Sequence, residues 1–482
     1  MPALGPVFHI LGLILLALGV AMTVPAGLDL ALGDPNWPQV LEAAIETSLA
    51  GALLALASRV EKQRPFDLRQ AYLLTAGIWV VVPFFAALPF LYGRPDASLT
   101  DAYFEAVSGI TTTGYTVFTG LDNLPRSVVL WRGMLNWMGG LGIAFVAMIF
   151  LPVMRVGGMR FFQTEGFDTL GKVLPRARDI ARELLRVYML LTALCAVIYM
   201  MLGMPALDAL VHAMATIATG GFGTTDASFS GWSNGAQYAG AIFMLASALP
   251  FIRYVQLLRG TPLAILRDPQ VAAFLRWFGW VFASVSAWRL LHDTAPAEQI
   301  LRETLFNYAS IMTGTGFFSA NVESWGTFPL AAAFCAGMIG GCTGSSSGAL
   351  SVFRWQALAA AIVTAVRRLH APHRVILPRY AGKILDSDTL DPLMFYFTGY
   401  ILTLGVLSVG VSMTGIDMQS ALFAVWAAVG NIGFGFGPMV ARTGTMVDFN
   451  DTAIWLLTLA MLLGRLGLLA ILVVFLPRFW RS

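Results

Sequence analysis

A short motif that sets a glycine before an aromatic ring occurs four times in this chain: Thr112-Thr113-Gly114-Tyr115, Thr219-Gly220-Gly221-Phe222, Gly314-Thr315-Gly316-Phe317 and Asn431-Ile432-Gly433-Phe434. Successive glycines are 107, 95 and 117 residues apart. Counting back from each glycine by the same interval gives Asp101, Asp208, Glu303 and Ser420. All are residue types that satisfy free N–H groups at a helix start, so all four are expected as N-caps. The residues between are mostly apolar. Each unit therefore predicts a half-membrane helix, too short to span, that runs into a glycine-bearing loop. Four such helices, aiming their negative C-terminal ends and the carbonyls just beyond at one axis, make a site for a dehydrated cation. The expectation is a pore built as a pseudo-tetramer from one polypeptide.

The rest of the chain suits a bilayer. Hydrophobic residues make up 57% and charged residues 12%, with a mean hydropathy of +0.73, which excludes an ordinary soluble protein of this size. Apolar runs of spanning length fall at 7–28, 38–58, 71–92, 128–153, 184–203, 236–258, 271–291, 328–366, 393–413 and 453–477. The fold class expected is thus an all-α integral membrane protein of ten spans plus four short pore helices. A helix pair at 1–60 precedes four span, pore helix, span repeats at 66–155, 180–260, 270–368 and 390–478. Each repeat holds two full spans, so the repeats share one orientation and are related by rotation about the membrane normal.

Of the 30 basic residues, 23 fall at 59–69, 155–186, 253–276, 354–383 and the tail (Arg478, Arg481). These are alternate connections, so the positive-inside rule makes their face cytoplasmic. Both termini then lie in the cytoplasm, and the motifs open outward beneath an acidic rim that concentrates cations. The first basic residue is Arg59, so the amino terminus lacks the charged region of a signal peptide and is expected to be a retained anchor. Cys195, Cys335 and Cys342 show no metal-like spacing and are expected to pack. His370 and His373 are expected to be solvated.

The Gly114, Gly221, Gly316 and Gly433 loops, the stretch WRGMLNWMGGLGI at 131–143 and the stretch GGCTGSSSGA at 340–349 together resemble the Trk/Ktr/HKT superfamily of potassium transporters. The likeness spans the chain and is greatest to the bacterial TrkH/TrkG branch, which carries the same extra helix pair. The resemblance implies an ion-translocating subunit for potassium uptake in the bacterial inner membrane, a homodimer docked on a cytosolic ring of nucleotide-binding RCK subunits. It implies no intrinsic cofactor beyond K⁺ in the filter. Plant relatives with serine for the first filter glycine favour Na⁺; Gly114 stands there in this chain.

Within that frame the filter comprises Thr112, Thr113, Gly114, Thr219, Gly220, Gly221, Gly314, Thr315, Gly316, Asn431, Ile432 and Gly433. Glycine is required because the loop must turn its carbonyls to the axis with backbone angles closed to residues that carry a Cβ. The aromatics after each glycine are expected to pack behind the loop, and Thr112, Thr113, Thr219, Thr313 and Thr315 offer hydroxyls. The fourth copy breaks the pattern with Asn431 and Ile432, so fewer good K⁺ sites are expected than in a tetrameric channel. No filter residue is charged; selectivity must come from neutral oxygens.

Residues 328–366 would form a single helix of about 58 Å, well beyond the ~30 Å hydrocarbon core. The break is expected at Gly340, Gly341, Cys342, Thr343, Gly344, Ser345, Ser346, Ser347 and Gly348, because non-helical backbone at membrane depth survives only against a cavity or buried in protein. The resemblance makes this loop a gate beneath the filter. Some relatives carry a lysine where Ser351 stands. Arg465, in the middle of the last span between Gly464 and Gly467, is costly and by default functional. It follows Gly433 by the interval at which Gly348 follows Gly316, which places it beside the gating loop. There it slows cations and bonds loop carbonyls; pairing with a distant carboxylate is the structural alternative.

The loop 154–186 (Arg155, Arg160, Lys172, Arg176, Arg178, Arg182, Arg186) and the cluster Arg367, Arg368, Arg374, Arg379 and Lys383 suit anionic lipid or, by the resemblance, the RCK ring. Nothing points to nucleic acid. The GGCTGSSSGA string lacks the lysine of a phosphate-binding loop. A polytopic membrane enzyme is the rival class, but no His, Asp or Glu cluster recurs at matching depth in two spans. Whether H⁺ or Na⁺ accompanies K⁺ is not encoded in any residue singled out.

Overall fold

The computed structural model describes residues 4–59, 68–145, 177–261, 263–371 and 373–466, together with Pro477. These are helices joined by loops, with one two-stranded hairpin, Arg379–Tyr380 against Lys383–Ile384. Much of the 154–186 basic loop, the ends of the 128–153 and 453–477 runs and the basic tail lie outside the described residues.

Among the described residues six helices are long and apolar enough to cross a membrane: Gly5–Leu32, Trp37–Ala57, Arg69–Tyr92, Ala181–Met201, Pro269–His292 and Ser387–Ser412. The first two pack with almost nothing between them. A Cβ on Gly12 would meet the backbone of Ala55 and Gly51, and one on Gly51 that of Leu16. Close approach of this kind drives association in lipid, where the hydrophobic effect between helices is absent. Buried Asp29 fastens the pair to the body, accepting from the Ser127 N–H at 2.8 Å and from Asn36 Nδ2 at 3.3 Å.

The expected span over 236–258 is two helices, Asn234–Ser247 and Phe251–Leu258, bent by 93°. Pro250 is the cause: it lacks an N–H and pushes Leu249 away from helical angles. The expected runs 128–153 and 453–477 overlap Arg126–Phe145 and Asp451–Leu466, each followed by residues outside the described ones. The 328–366 run is broken as its length demands, into Thr327–Ile339 and Val352–His370 around an irregular loop at 340–351.

Four short helices precede the glycine motifs: Leu99–Ile110, Ala206–Ala218, Ala297–Thr313 and Met418–Gly430. Their starts correct the expected caps. Ser98 and Asp417 are the N-caps of the first and fourth, accepting from the backbone N–H of Asp101 and of Ser420. Asp101 and Ser420 therefore stand at the third helical position, as does Asp208 behind Pro205. Glu303 lies well inside its helix, which starts after Pro296. The acids at the third position still complement the helix dipole, which is why sequence alone mistakes them for caps.

The packing of these helices is cyclic. Arg126–Phe145 packs on Ala206–Ala218, Asn234–Ser247 on Ala297–Thr313, Thr327–Ile339 on Met418–Gly430, and Asp451–Leu466 on Leu99–Ile110. The helix after each motif thus supports the short helix of the next, and the last closes on the first. Most side chains of the short helices are buried.

Candidate functional site

Each short helix ends in the same way. The N–H groups of Thr113, Gly220, Thr315 and Ile432 return to the carbonyls of Ser108, Ala215, Ser310 and Ala427 at 2.8 to 2.9 Å. Such closing bonds require a left-handed residue just before them. Thr112, Thr219, Gly314 and Asn431 fill that position, with φ of 53°, 50°, 70° and 49°. Two residues on, Gly114, Gly221, Gly316 and Gly433 are again left-handed, at 85°, 76°, 90° and 70°. Four sequences that differ in side chain therefore trace one backbone path.

The four paths meet. A Cβ on Gly114 would press on the carbonyl oxygen of Gly220, one on Gly221 on that of Thr315, one on Gly316 on that of Ile432, and one on Gly433 on that of Thr113. The order is first to second to third to fourth and back to first, so the loops adjoin in a closed ring. All four glycines also line one open cavity of ≈ 390 Å³, whose other walls include Asp226, Glu323 and Arg132. Both carboxylates are engaged at seams between loops. Asp226 accepts from the Gly120 and Leu121 N–H groups at 2.7 and 3.1 Å, and Glu323 from the Gly437 N–H at 3.1 Å.

The aromatics after the glycines are buried. Tyr115 reaches the Phe423 and Phe434 carbonyls at 3.4 and 3.5 Å, and Phe317 stacks on His212 at 5.6 Å between centroids. The threonine hydroxyls are mostly occupied. Thr113 pairs with Thr111 and Thr315 with Thr313, each at 2.7 Å, while Asn431 Nδ2 donates to Thr113 Oγ1 at 2.9 Å. Thr112 Oγ1 and Asn431 Oδ1 are buried without a hydrogen-bond partner.

On the side of the ring away from the cavity lies the 340–351 loop. Ser347 Oγ donates to the Thr313 carbonyl at 2.6 Å, Ser346 Oγ to that of Ile217 at 2.9 Å, and the Ala349 N–H to that of Gly430 at 2.8 Å. Three of the four short helices thus present their C-terminal carbonyls to this one loop. Its other side is held by the 93° bend: the Cys342 N–H donates to Ala248 at 2.9 Å, and the Phe251 N–H to Gly344 at 3.0 Å. The Thr343 N–H donates to Gln270 Oε1 at 2.9 Å. Gly340, Gly344, Ala349 and Ser351 all have positive φ. Arg465 Nη2 donates to the Ser346 carbonyl at 2.6 Å, and a Cβ on Gly348 would lie 3.2 Å from Arg465 Nη1. Among the described residues no carboxylate pairs with Arg465.

Sequence reasoning missed a buried ion pair. Arg132 Nε donates to Glu105 Oε1 at 2.7 Å with both side chains almost wholly buried. Arg132 also donates to the Gly223 carbonyl at 3.0 Å and lies 4.1 Å over the Phe222 ring. Both charges sit in apolar segments, the signal that picked out Arg465.

Residues 37–482 match the family model described as TrkH, cation transport protein. The Trk system potassium uptake protein TrkI of Halomonas elongata is 37% identical over 99% of this chain and 97% of its own. The Trk system potassium uptake protein TrkH of Escherichia coli (strain K12) is 33% identical over 98% of this chain and 99% of its own. The crystal structure of the potassium transporter TrkH from Vibrio parahaemolyticus has a TM-score of 0.91 at 32% identity, with both chains covered in full.

Proposed function

Since the chain belongs to the TrkH family of cation transport proteins, we propose that it is the ion-conducting subunit of a Trk-type potassium uptake system and that the ring of four glycine loops is its selectivity filter. The observation that carries this reading is the cyclic adjacency of Gly114, Gly221, Gly316 and Gly433 at the floor of one cavity. Backbone carbonyls at such a ring replace the hydration shell of K⁺ without any charged ligand. The helix C-termini behind them add a negative potential.

The 340–351 loop is the gate. It lies across the exit from the ring, and the short side chains of Ser345, Ser346 and Ser347 give water or ions polar contacts when it moves. Arg465 holds it in place through the Ser346 carbonyl and adds a positive charge on the ion's path. Uptake runs down the electrochemical gradient, with the membrane potential supplying about 2.3 kcal/mol per charge per 100 mV. No catalytic residue is needed.

The protein is a multi-pass inner-membrane protein with both termini cytoplasmic, assembled as a homodimer on a cytosolic nucleotide-binding RCK subunit. Exposed Arg367, Arg368, Arg374 and Arg379 are the docking candidates on that face. The test is growth rescue of a bacterium lacking K⁺ uptake, together with rubidium flux into liposomes. No flux under an imposed inside-negative potential, with the partner subunit supplied, would overturn the transporter reading.

A further inference from the structure

The four loops share a backbone path, but they are not held from behind in the same way. Nine residues before the ring glycines stand Glu105, His212, Asn307 and Ala424, all on the buried faces of the short helices. In the first loop Glu105 Oε2 accepts from the Val117 N–H at 3.1 Å, and its Oε1 takes the Thr116 hydroxyl at 2.9 Å. In the third, Asn307 Oδ1 accepts from the Ser319 N–H at 3.1 Å, and its Nδ2 donates to Ser319 Oγ at 2.9 Å. Val117 and Ser319 are each three residues past their glycine, so one clamp is built twice from a carboxylate and an amide.

The second and fourth loops lack it. His212 turns Nδ1 to its own helix at Asp208, and its Nε2 is buried without a partner. Ala424 has nothing to offer. These loops are gripped instead from neighbouring units. Asn136 Oδ1 takes the Phe222 N–H at 3.0 Å and Arg132 the Gly223 carbonyl at 3.0 Å, while Glu323 takes the Gly437 N–H. In the cyclic order the first and third loops face each other across the ring.

We propose that Glu105 and Asn307 are positioning residues for ion discrimination: a facing pair of internal clamps that fixes the separation of the first and third loops, with the second and fourth loops held between them. The proposal rests on reading the ring as the filter. A buried N–H left without its acceptor relaxes toward another partner. The carbonyls that precede it by a few residues then shift with it, and the ring loses the fixed spacing on which preference for one ion radius depends. Arg132 stands against the Glu105 carboxyl as its partner at 2.7 Å, whereas Asn307 needs no counter-ion.

The test measures K⁺ against Na⁺ permeability in proteoliposomes for the full chain with its partner subunit. Asn307→Ala should lower discrimination severalfold while maximal cation flux stays within about twofold, a split that general loss of fold would not give. Asn307→Asp keeps the acceptor for the Ser319 N–H but loses the donor to the Glu303 carbonyl and Ser319 Oγ and has no arginine beside it, so it should recover discrimination only in part relative to Asn307→Ala. Ser319→Ala, which loses the side-chain bond but keeps the clamped N–H, should leave it unchanged. Glu105→Ala is the matching variant in the facing loop and is assayed only if it purifies as wild type does. Gly316→Ser is measured alongside. Folded Asn307→Ala with wild-type discrimination, while Gly316→Ser loses it, overturns the clamp and leaves the filter reading intact. Wild-type discrimination in Gly316→Ser removes the filter reading on which the clamp depends.

Discussion

Arg465→Ala removes the 2.6 Å bond to the Ser346 carbonyl and a fixed cation beside Gly348. A hydrogen bond to a charged group contributes about 1.5–3 kcal/mol net. At about 1.4 kcal/mol per decade, losing it raises the population of the displaced loop roughly ten- to a hundredfold. Ser347 on Thr313, Ser346 on Ile217 and Ala349 on Gly430 are untouched, at about 1 kcal/mol each, so the loop keeps a preference for its seat. Flux should therefore rise by about the factor by which the open population rises, until that population saturates. Removal of the positive charge acts in the same direction. Arg465→Lys, which keeps the charge but not the forked geometry, should fall between. The assay is rubidium uptake into proteoliposomes at a fixed inside-negative potential, with folding checked by gel filtration. Folded Arg465→Ala with flux at or below wild type would refute the reasoning. Loss of fold in Arg465→Ala with rescue by Arg465→Lys would make the guanidinium a packing element and leave gating to the loop alone.

Serine at Gly114, Gly221, Gly316 or Gly433 should weaken K⁺ over Na⁺ permeability, since each glycine has positive φ and its Cβ would press on the next loop's carbonyl; unchanged permeability ratios in all four would show that the ring is not the filter. Deleting Cys342 to Ser347 should raise basal flux and reduce dependence on the cytosolic partner. Full partner dependence in a folded deletion would count against the gate. Combining that deletion with Arg465→Ala should add little, as for two parts of one barrier; additive effects on flux would make them independent.

Legibility in the sequence followed how local each signal was. The four motifs and the break at 340–348 are written in consecutive residues; Pro250 is just as local, yet the apolar run across it reads as one span, 236–258. The helix starts were misplaced because an acid at the third helical position and a capping residue answer the same electrostatic need. Ser98, Pro205 and Asp417 each stand 16 residues before their ring glycine, but Pro205 is no side-chain cap and the third copy has Ile300 at that interval, so the spacing does not return four capping residue types there. The second left-handed position in each loop was hidden by its residues: Thr112, Thr219 and Asn431 all carry a Cβ, and only Gly314 advertises the conformation. Glu105 and Arg132 were each visible as charges in apolar runs, but 27 residues separate them and only the packing of their helices brings them together.

Across the ring, backbone and side chain obey different rules. On the proposed filter reading an ion at the axis meets backbone carbonyls, and the four backbones share their left-handed positions although the residues there are Thr, Thr, Gly and Asn. Behind the carbonyls the seams are not joined alike. Arg132 crosses to Gly223, and the Phe229 N–H crosses to Phe318 at 2.9 Å. Glu323 crosses to Gly437, and the Met446 N–H to Thr116 at 2.8 Å. In a homotetramer any such contact would occur four times, so an ion pair at a seam would bury four charges of each sign around one pore. A single polypeptide can place an arginine at one seam, a carboxylate at another and backbone N–H groups at the remaining two. On that reading the fourfold regularity is kept where an ion needs it, and the side chains behind it supply tethers that differ from loop to loop.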